Sequence, residues 1–183
     1  FAIWTDVLIF AYYKRLSAAR QSIYRQSDAI LAVPLPYPQP LLHPVQELAG
    51  ALKAEDRTKV QTLSQTIANG IVEQMQVPAL RVQVLAARPS DDWGELHGLY
   101  LPEDSGTAAK VQLWMRTARH KRVVAYKSYL RTLLHEICHH LDYEFYKFPE
   151  TFHTEGFYHR EASLFHQLVP TPTTPATPPG TRE

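Results

Sequence analysis

The segment Leu133-Leu-His135-Glu136-Ile-Cys-His139-His140-Leu-Asp142 carries two histidines four residues apart, with a glutamate directly after the first. On an α-helix that spacing projects both rings from one side, one turn apart, so two imidazoles can grip a single tetrahedral Zn²⁺. Glu136 is the residue type that takes a proton from a zinc-bound water and returns it to a leaving amine. At about 100° per residue from His135, His139 lies at about 40° and Glu136 at about 100°, while Leu130, Leu134, Cys138 and Leu141 gather between about −60° and −140°. The helix therefore has a leucine face to bury beside its ligand face, with Glu136 on the cleft side. The pattern arises by chance roughly 0.03 times in a chain of this composition, so its presence in a helical context points to zinc-dependent hydrolysis.

A hydrolytic zinc needs a third protein ligand and one open position. His153, fourteen residues past His139, stands next to Thr154, which is placed to cap the following helix and hold the imidazole just outside its start. Glu161 shares a helical stripe with His153 and Phe157, and a tight hairpin pivoting at Pro149 would bring it opposite His135 and His139. Both remain candidates. Asp142, seven past His135, can orient an imidazole through its free ring nitrogen or solvate the helix end. His140 points away from the pair and is expected at the surface, whereas Cys138 falls in the apolar arc and reads as packing.

These residues resemble the SprT-like zinc metalloproteases over residues 46–168. The resemblance rests on His135, Glu136 and His139, on His153 four residues before an aromatic, Phe157, and on the Leu96-His-Gly98-Leu-Tyr100 strand followed by the apolar strand 111–115. It implies a small zincin-like metalloprotease domain with a polypeptide substrate and His153 as third zinc ligand. A second resemblance is to gluzincins, where a helix-borne glutamate followed by a small residue is the third ligand, as Glu161-Ala162 would be.

Other elements must position that constellation. Residues 3–30 read as an amphipathic helix, and 1–33 as an N-terminal helical segment; the proline-rich stretch 34–45 reads as a stiff connector, since proline fixes φ and lacks a donor. Val60, Leu63, Ile67, Ile71 and Met75 predict one helix over 44–75, closed by Pro78. Alternation predicts strands over 80–85, 95–101 and 110–116, and further helices over 127–146 and 154–168. The order is α+β: a short antiparallel or mixed sheet, then the HExxH helix and a C-terminal helix, with residues 46–169 as the catalytic domain. An extended peptide would pair with an edge strand, either 95–101 or Lys110–Arg116. The Pro/Thr-rich tail 170–183 has no apolar side chains to offset chain entropy and is expected to be disordered.

The chain has 183 residues, 45% hydrophobic and 20% charged, which suits one globular domain. Its net charge of +1 gives no global field for nucleic acid or an anionic membrane. Only Arg116, Arg119, His120, Lys121 and Arg122 make a dense basic run, more often a solvated turn than a phosphate site. Trp93, Tyr100 and Trp114 read as packing rather than base-stacking platforms. One cysteine excludes an internal disulfide and points to a reducing, cytoplasmic compartment. The best membrane candidate, residues 3–13, is short and holds Asp6, without the flanks of a signal peptide. Opening on Phe1, the chain reads as a trimmed fragment. Two other functions fit the same residues: a zinc-stabilised binding or scaffolding module without turnover, and a helical adaptor working through residues 1–30.

Overall fold

A computed structural model describes residues 12–91 and 94–169. The expected helix start, the membrane candidate, Trp93 and the Pro/Thr-rich tail lie wholly or partly outside them. The fold is α+β: helices α1 (Ala18–Asp28), α2 (Gln39–Lys53) and α3 (Arg57–Gln74) precede strands β1 (Arg81–Ala87), β2 (Ser90–Asp91), β3 (Gly94–Glu95), β4 (Gly98–Leu101) and β5 (Lys110–Arg116). Helices α4 (Tyr126–Glu144) and α5 (Glu155–Leu168) follow. No helix among the described residues is long and apolar enough to cross a membrane.

The helical half departs from its predicted boundaries at three places, each for a local reason. Within the described part, the first helix is interrupted at Ser17, whose hydroxyl accepts from Arg20 N–H and starts α1 afresh. Helix α2 begins at Gln39, inside the stretch read as connector: Pro40 occupies the first turn, where no amide donor is needed, and Pro44 is tolerated one turn later. The single helix predicted over 44–75 is two. Glu55 adopts φ 58°, its N–H bonds Leu52 O and that of Asp56 bonds Ala51 O, a left-handed helix stop built without glycine. Asp56 then caps α3 by accepting from Lys59 N–H at 3.0 Å. Gly70 is where Leu41 of α2 presses onto α3; a Cβ there would lie 2.4 Å from Leu41 Cδ2.

The main sheet is mixed, in the order β1-β5-β4, with β1 parallel and β4 antiparallel to β5. Lys110–Arg116 is thus the central strand, paired on both sides, and offers no edge to a peptide. The strand predicted over 95–101 is two: Glu95 pairs with Ser90 in a separate β2–β3 hairpin, and only Gly98–Leu101 joins the main sheet. Val82 and Val84 of β1 and Val111, Leu113 and Met115 of β5 alternate into one core with Leu130, Leu133, Leu134 and Ile137 of α4. The basic run lies on the turn after β5. Arg116 pairs with Glu55, while Arg119, His120, Lys121 and Arg122 are exposed.

The β1 edge is sealed by two side-chain amides. Gln61 of α3 donates to Val82 O and accepts from Val84 N–H, both at 2.7 Å. Gln65 donates to Leu80 O at 2.9 Å and accepts from Val82 N–H at 2.8 Å. A row of open donors and acceptors on a sheet edge invites pairing with another chain, and these amides occupy it. Replacing both by alanine is expected to lower unfolding free energy by about 2–4 kcal/mol, at about 1 kcal/mol per hydrogen bond, and to promote association. Urea unfolding and light scattering check this; wild-type stability in the double variant would show that the amides contribute nothing.

Candidate metal centre

Helix α4 packs against β4 and β5 and carries His135 and His139 on one side, as the spacing predicts. The leucines and Cys138 of the predicted apolar arc are buried, and burial pushes the Cys138 thiol well up, as packing rather than a nucleophile. The helix ends at Glu144, and Lys147 at φ 57° turns the chain sharply. The connection to α5 then brings His153 back over the pair. Thr154 caps α5, its hydroxyl accepting from Phe157 N–H at 2.9 Å, so the imidazole sits just outside the helix start.

Three imidazoles converge. His153 Nε2 lies 3.0 Å from His135 Nε2 and 3.0 Å from His139 Nε2, and the three ligand atoms lie within 4.8 Å of one another. The Phe157 ring forms their floor, with centroids 4.9 Å from His135 and 4.7 Å from His139. His139 is buried, whereas His153 is exposed and opens the cluster to solvent while its ring faces the pair.

The outer nitrogens decide which protons the inner ones can hold. Glu161 Oε2 lies 3.0 Å from His135 Nδ1; a carboxylate only accepts, so Nδ1 carries the hydrogen, and in the neutral ring Nε2 is left with a lone pair. Thr151 Oγ1 donates to Asp142 Oδ2 at 2.8 Å and therefore accepts from His139 Nδ1 at 2.9 Å, which again leaves Nε2 bare. Burial, then the neighbouring rings, push His139 down to about 2; His153 is exposed as a residue, but its ring is packed against the pair and Phe157, and that desolvation, then His135, lowers it to about 4. With each ring in its neutral form, the inner nitrogens hold at most one hydrogen among them. That is a donor set for a cation. A tetrahedral zinc with bonds of about 2.1 Å sets its nitrogens about 3.4 Å apart, within the observed spread.

Glu161, the alternative third ligand, stands opposite the pair as the hairpin at Pro149 requires, but on the outer side of His135. Its other oxygen lies 3.6 Å from Arg131. Asp142 reaches His139 only through Thr151, whose part no spacing rule in the sequence signals. His140 is not on the surface. It is fully buried, with Nε2 2.8 Å from Pro78 O and Nδ1 3.1 Å from the Tyr100 hydroxyl, because the face opposite the ligands packs against the segment entering β1. Comparison of the chain with family models, curated proteins and solved structures finds no match.

Glu136 lies between α4 and the open edge of the sheet, only 6% exposed. The backbone N–H of Tyr100 donates to its carboxylate. Burial raises Glu136 to about 7, against the opposing pull of His135 and of that hydrogen bond. A base near neutrality suits proton transfer at physiological pH. Gly98 makes the approach possible: a Cβ there would lie 2.5 Å from Glu136 Oε1 and 2.8 Å from Thr132 Cγ2. Tyr100 binds this corner together, stacking on His139 with centroids 6.3 Å apart while its hydroxyl donates to His140.

Proposed function

We propose that the protein is a zinc-dependent peptidase of the SprT-like, zincin-like kind, with His135, His139 and His153 as ligands and Glu136 as general base. The observation that carries this reading is the convergence of three proton-poor imidazole nitrogens one helical residue from a buried carboxylate poised near pH 7. When bound, zinc supplies Lewis-acid polarisation of a scissile carbonyl and acidifies a coordinated water. Glu136, held by Tyr100 N–H, takes the proton at its carboxylate and delivers it to the leaving amine. Glu161 and Thr151 fix the tautomers of His135 and His139, as outer partners of metal-binding histidines do.

The sheet supports an extended polypeptide as substrate. Its centre is paired on both sides and its β1 edge is sealed by Gln61 and Gln65, which leaves β4, beside Glu136, as the edge that can add a strand. Reconstitution of purified protein with zinc is expected to give about one ion per chain, with cleavage of an unfolded polypeptide that stops on chelation. Absence of zinc overturns the reading. Stoichiometric zinc without cleavage of any peptide overturns the peptidase and leaves the zinc-stabilised binding module.

A further inference from the structure

The connection between α4 and α5 carries Thr151 and His153, and its side-chain anchors come largely from the N-terminal segment. Phe152, between those two residues, is buried in a satellite cluster with Leu16 and Tyr24. Glu150 is paired with Arg20, whose Nε donates at 2.7 Å. Asp28 Oδ1 accepts from Gly156 N–H at 2.9 Å, and a Cβ on Gly156 would lie 2.2 Å from Asp28 O and 2.7 Å from Asp28 C. Those are backbone atoms, so α1 rests on the first turn of α5 in a contact that only glycine permits.

A second connection runs through the interior. Arg160, wholly buried, donates to Ser27 O, to Ile30 O at 2.8 Å and to Ser27 Oγ at 2.9 Å, and its Nη2 also lies 2.9 Å from Asp142 Oδ1. Asp142 accepts from Thr151, and Thr151 from His139. An unbroken chain of hydrogen bonds therefore joins the carbonyls at the end of α1 to a ring of the metal centre. Withdrawing α1 would strip Arg160 of three acceptors and leave a buried guanidinium with one partner, which favours rearrangement of Asp142 and Thr151.

We propose that docking of the N-terminal segment, residues 16–30, is coupled to metal binding, with Arg160 as the positioning residue that transmits it to His139. The inference rests on the metal centre proposed above. Coupling is reciprocal: zinc tightens the segment by the factor by which the docked segment tightens zinc.

Hydrogen exchange on the full chain, with and without zinc, and zinc affinity by competition with a chromophoric chelator test it. Zinc is expected to slow exchange of amides in Ala18–Asp28 by about tenfold. Two undocking variants, Gly156→Ala and Tyr24→Ala, touch no ligand and are expected to weaken zinc by about tenfold or more. Leu48→Ala, which destabilises the core away from α1, is expected to keep wild-type zinc affinity. Should Gly156→Ala fail to fold, Tyr24→Ala carries the test. Unchanged exchange in α1 on adding zinc, or wild-type affinity in the undocked variants, overturns the coupling while the metal centre stands. Failure of the wild-type chain to bind zinc overturns the metal centre and the coupling with it.

Discussion

Glu136→Gln is expected to retain one zinc per chain and to lower the rate of peptide hydrolysis by about 10²–10⁴-fold, the usual contribution of a positioned general base. Glutamine has the same shape and its carbonyl oxygen can still accept from Tyr100 N–H, so the packing between α4 and β4 is kept. It cannot hold the proton. The same variant has a stability signature in the metal-free protein. Burial raises the folded-state pKa of Glu136 to about 7 from the ordinary 4.5. The unfolded chain therefore releases this proton at lower pH than the folded one. The destabilisation sets in as pH rises through about 4.5 and is complete above about 7, reaching about 3 kcal/mol. Glu136→Gln removes it, so the chelated variant should be the more stable of the two at pH 8, and the gap should close below pH 4.5. Urea unfolding across that range reads the gap. Wild-type turnover in the variant would remove Glu136 as the base, and loss of zinc would make it a ligand.

His139→Ala is expected to lose both zinc and hydrolysis. At free zinc about a thousandfold above the dissociation constant, binding to the folded state alone adds about 4 kcal/mol of stability. The wild-type unfolding midpoint should therefore rise on adding zinc and fall on chelation, and the variant should respond to neither. His139 and His153 also set the acid behaviour of the metal-free protein. Their folded-state pKa values are depressed to about 2 and about 4, so the unfolded chain takes up these protons first as pH falls below about 6.5. Their contribution to stability is lost progressively from there down, opposite in sign to that of Glu136. Calorimetry with and without zinc checks the metal response; a zinc-dependent midpoint in His139→Ala would place the ion elsewhere.

Elements whose boundaries are marked by their own side chains were legible in the sequence. The leucine periodicity of α4, the alternation of β1 and β5 and the Thr154 cap are each encoded within a few residues of where they act. The failures have a common origin in distant partners. The stop at Glu55 has no glycine, so nothing local marked it. A helical wheel places His140 at the surface because it separates faces without knowing that Pro78 and Tyr100 cover the one opposite His135 and His139. Lys110–Arg116 looked like a possible edge because strand order is absent from the pattern of one strand.

By itself the sequence determined the α+β class, the helix bearing His135, Glu136 and His139, and the two candidates for a third position, because helical spacing converts four residues into one face. Only the tertiary structure shows which of those two faces the pair. His153 turns its Nε2 toward the pair, whereas Glu161 meets the outer nitrogen of His135, since the reach of each depends on where the chain turns at Lys147 and on what holds the connection in place. The same holds for the chain of hydrogen bonds through Thr151, Asp142 and Arg160 to the end of α1. It joins residues far apart in the sequence, and the strength of such contacts arises from burial that no local pattern records.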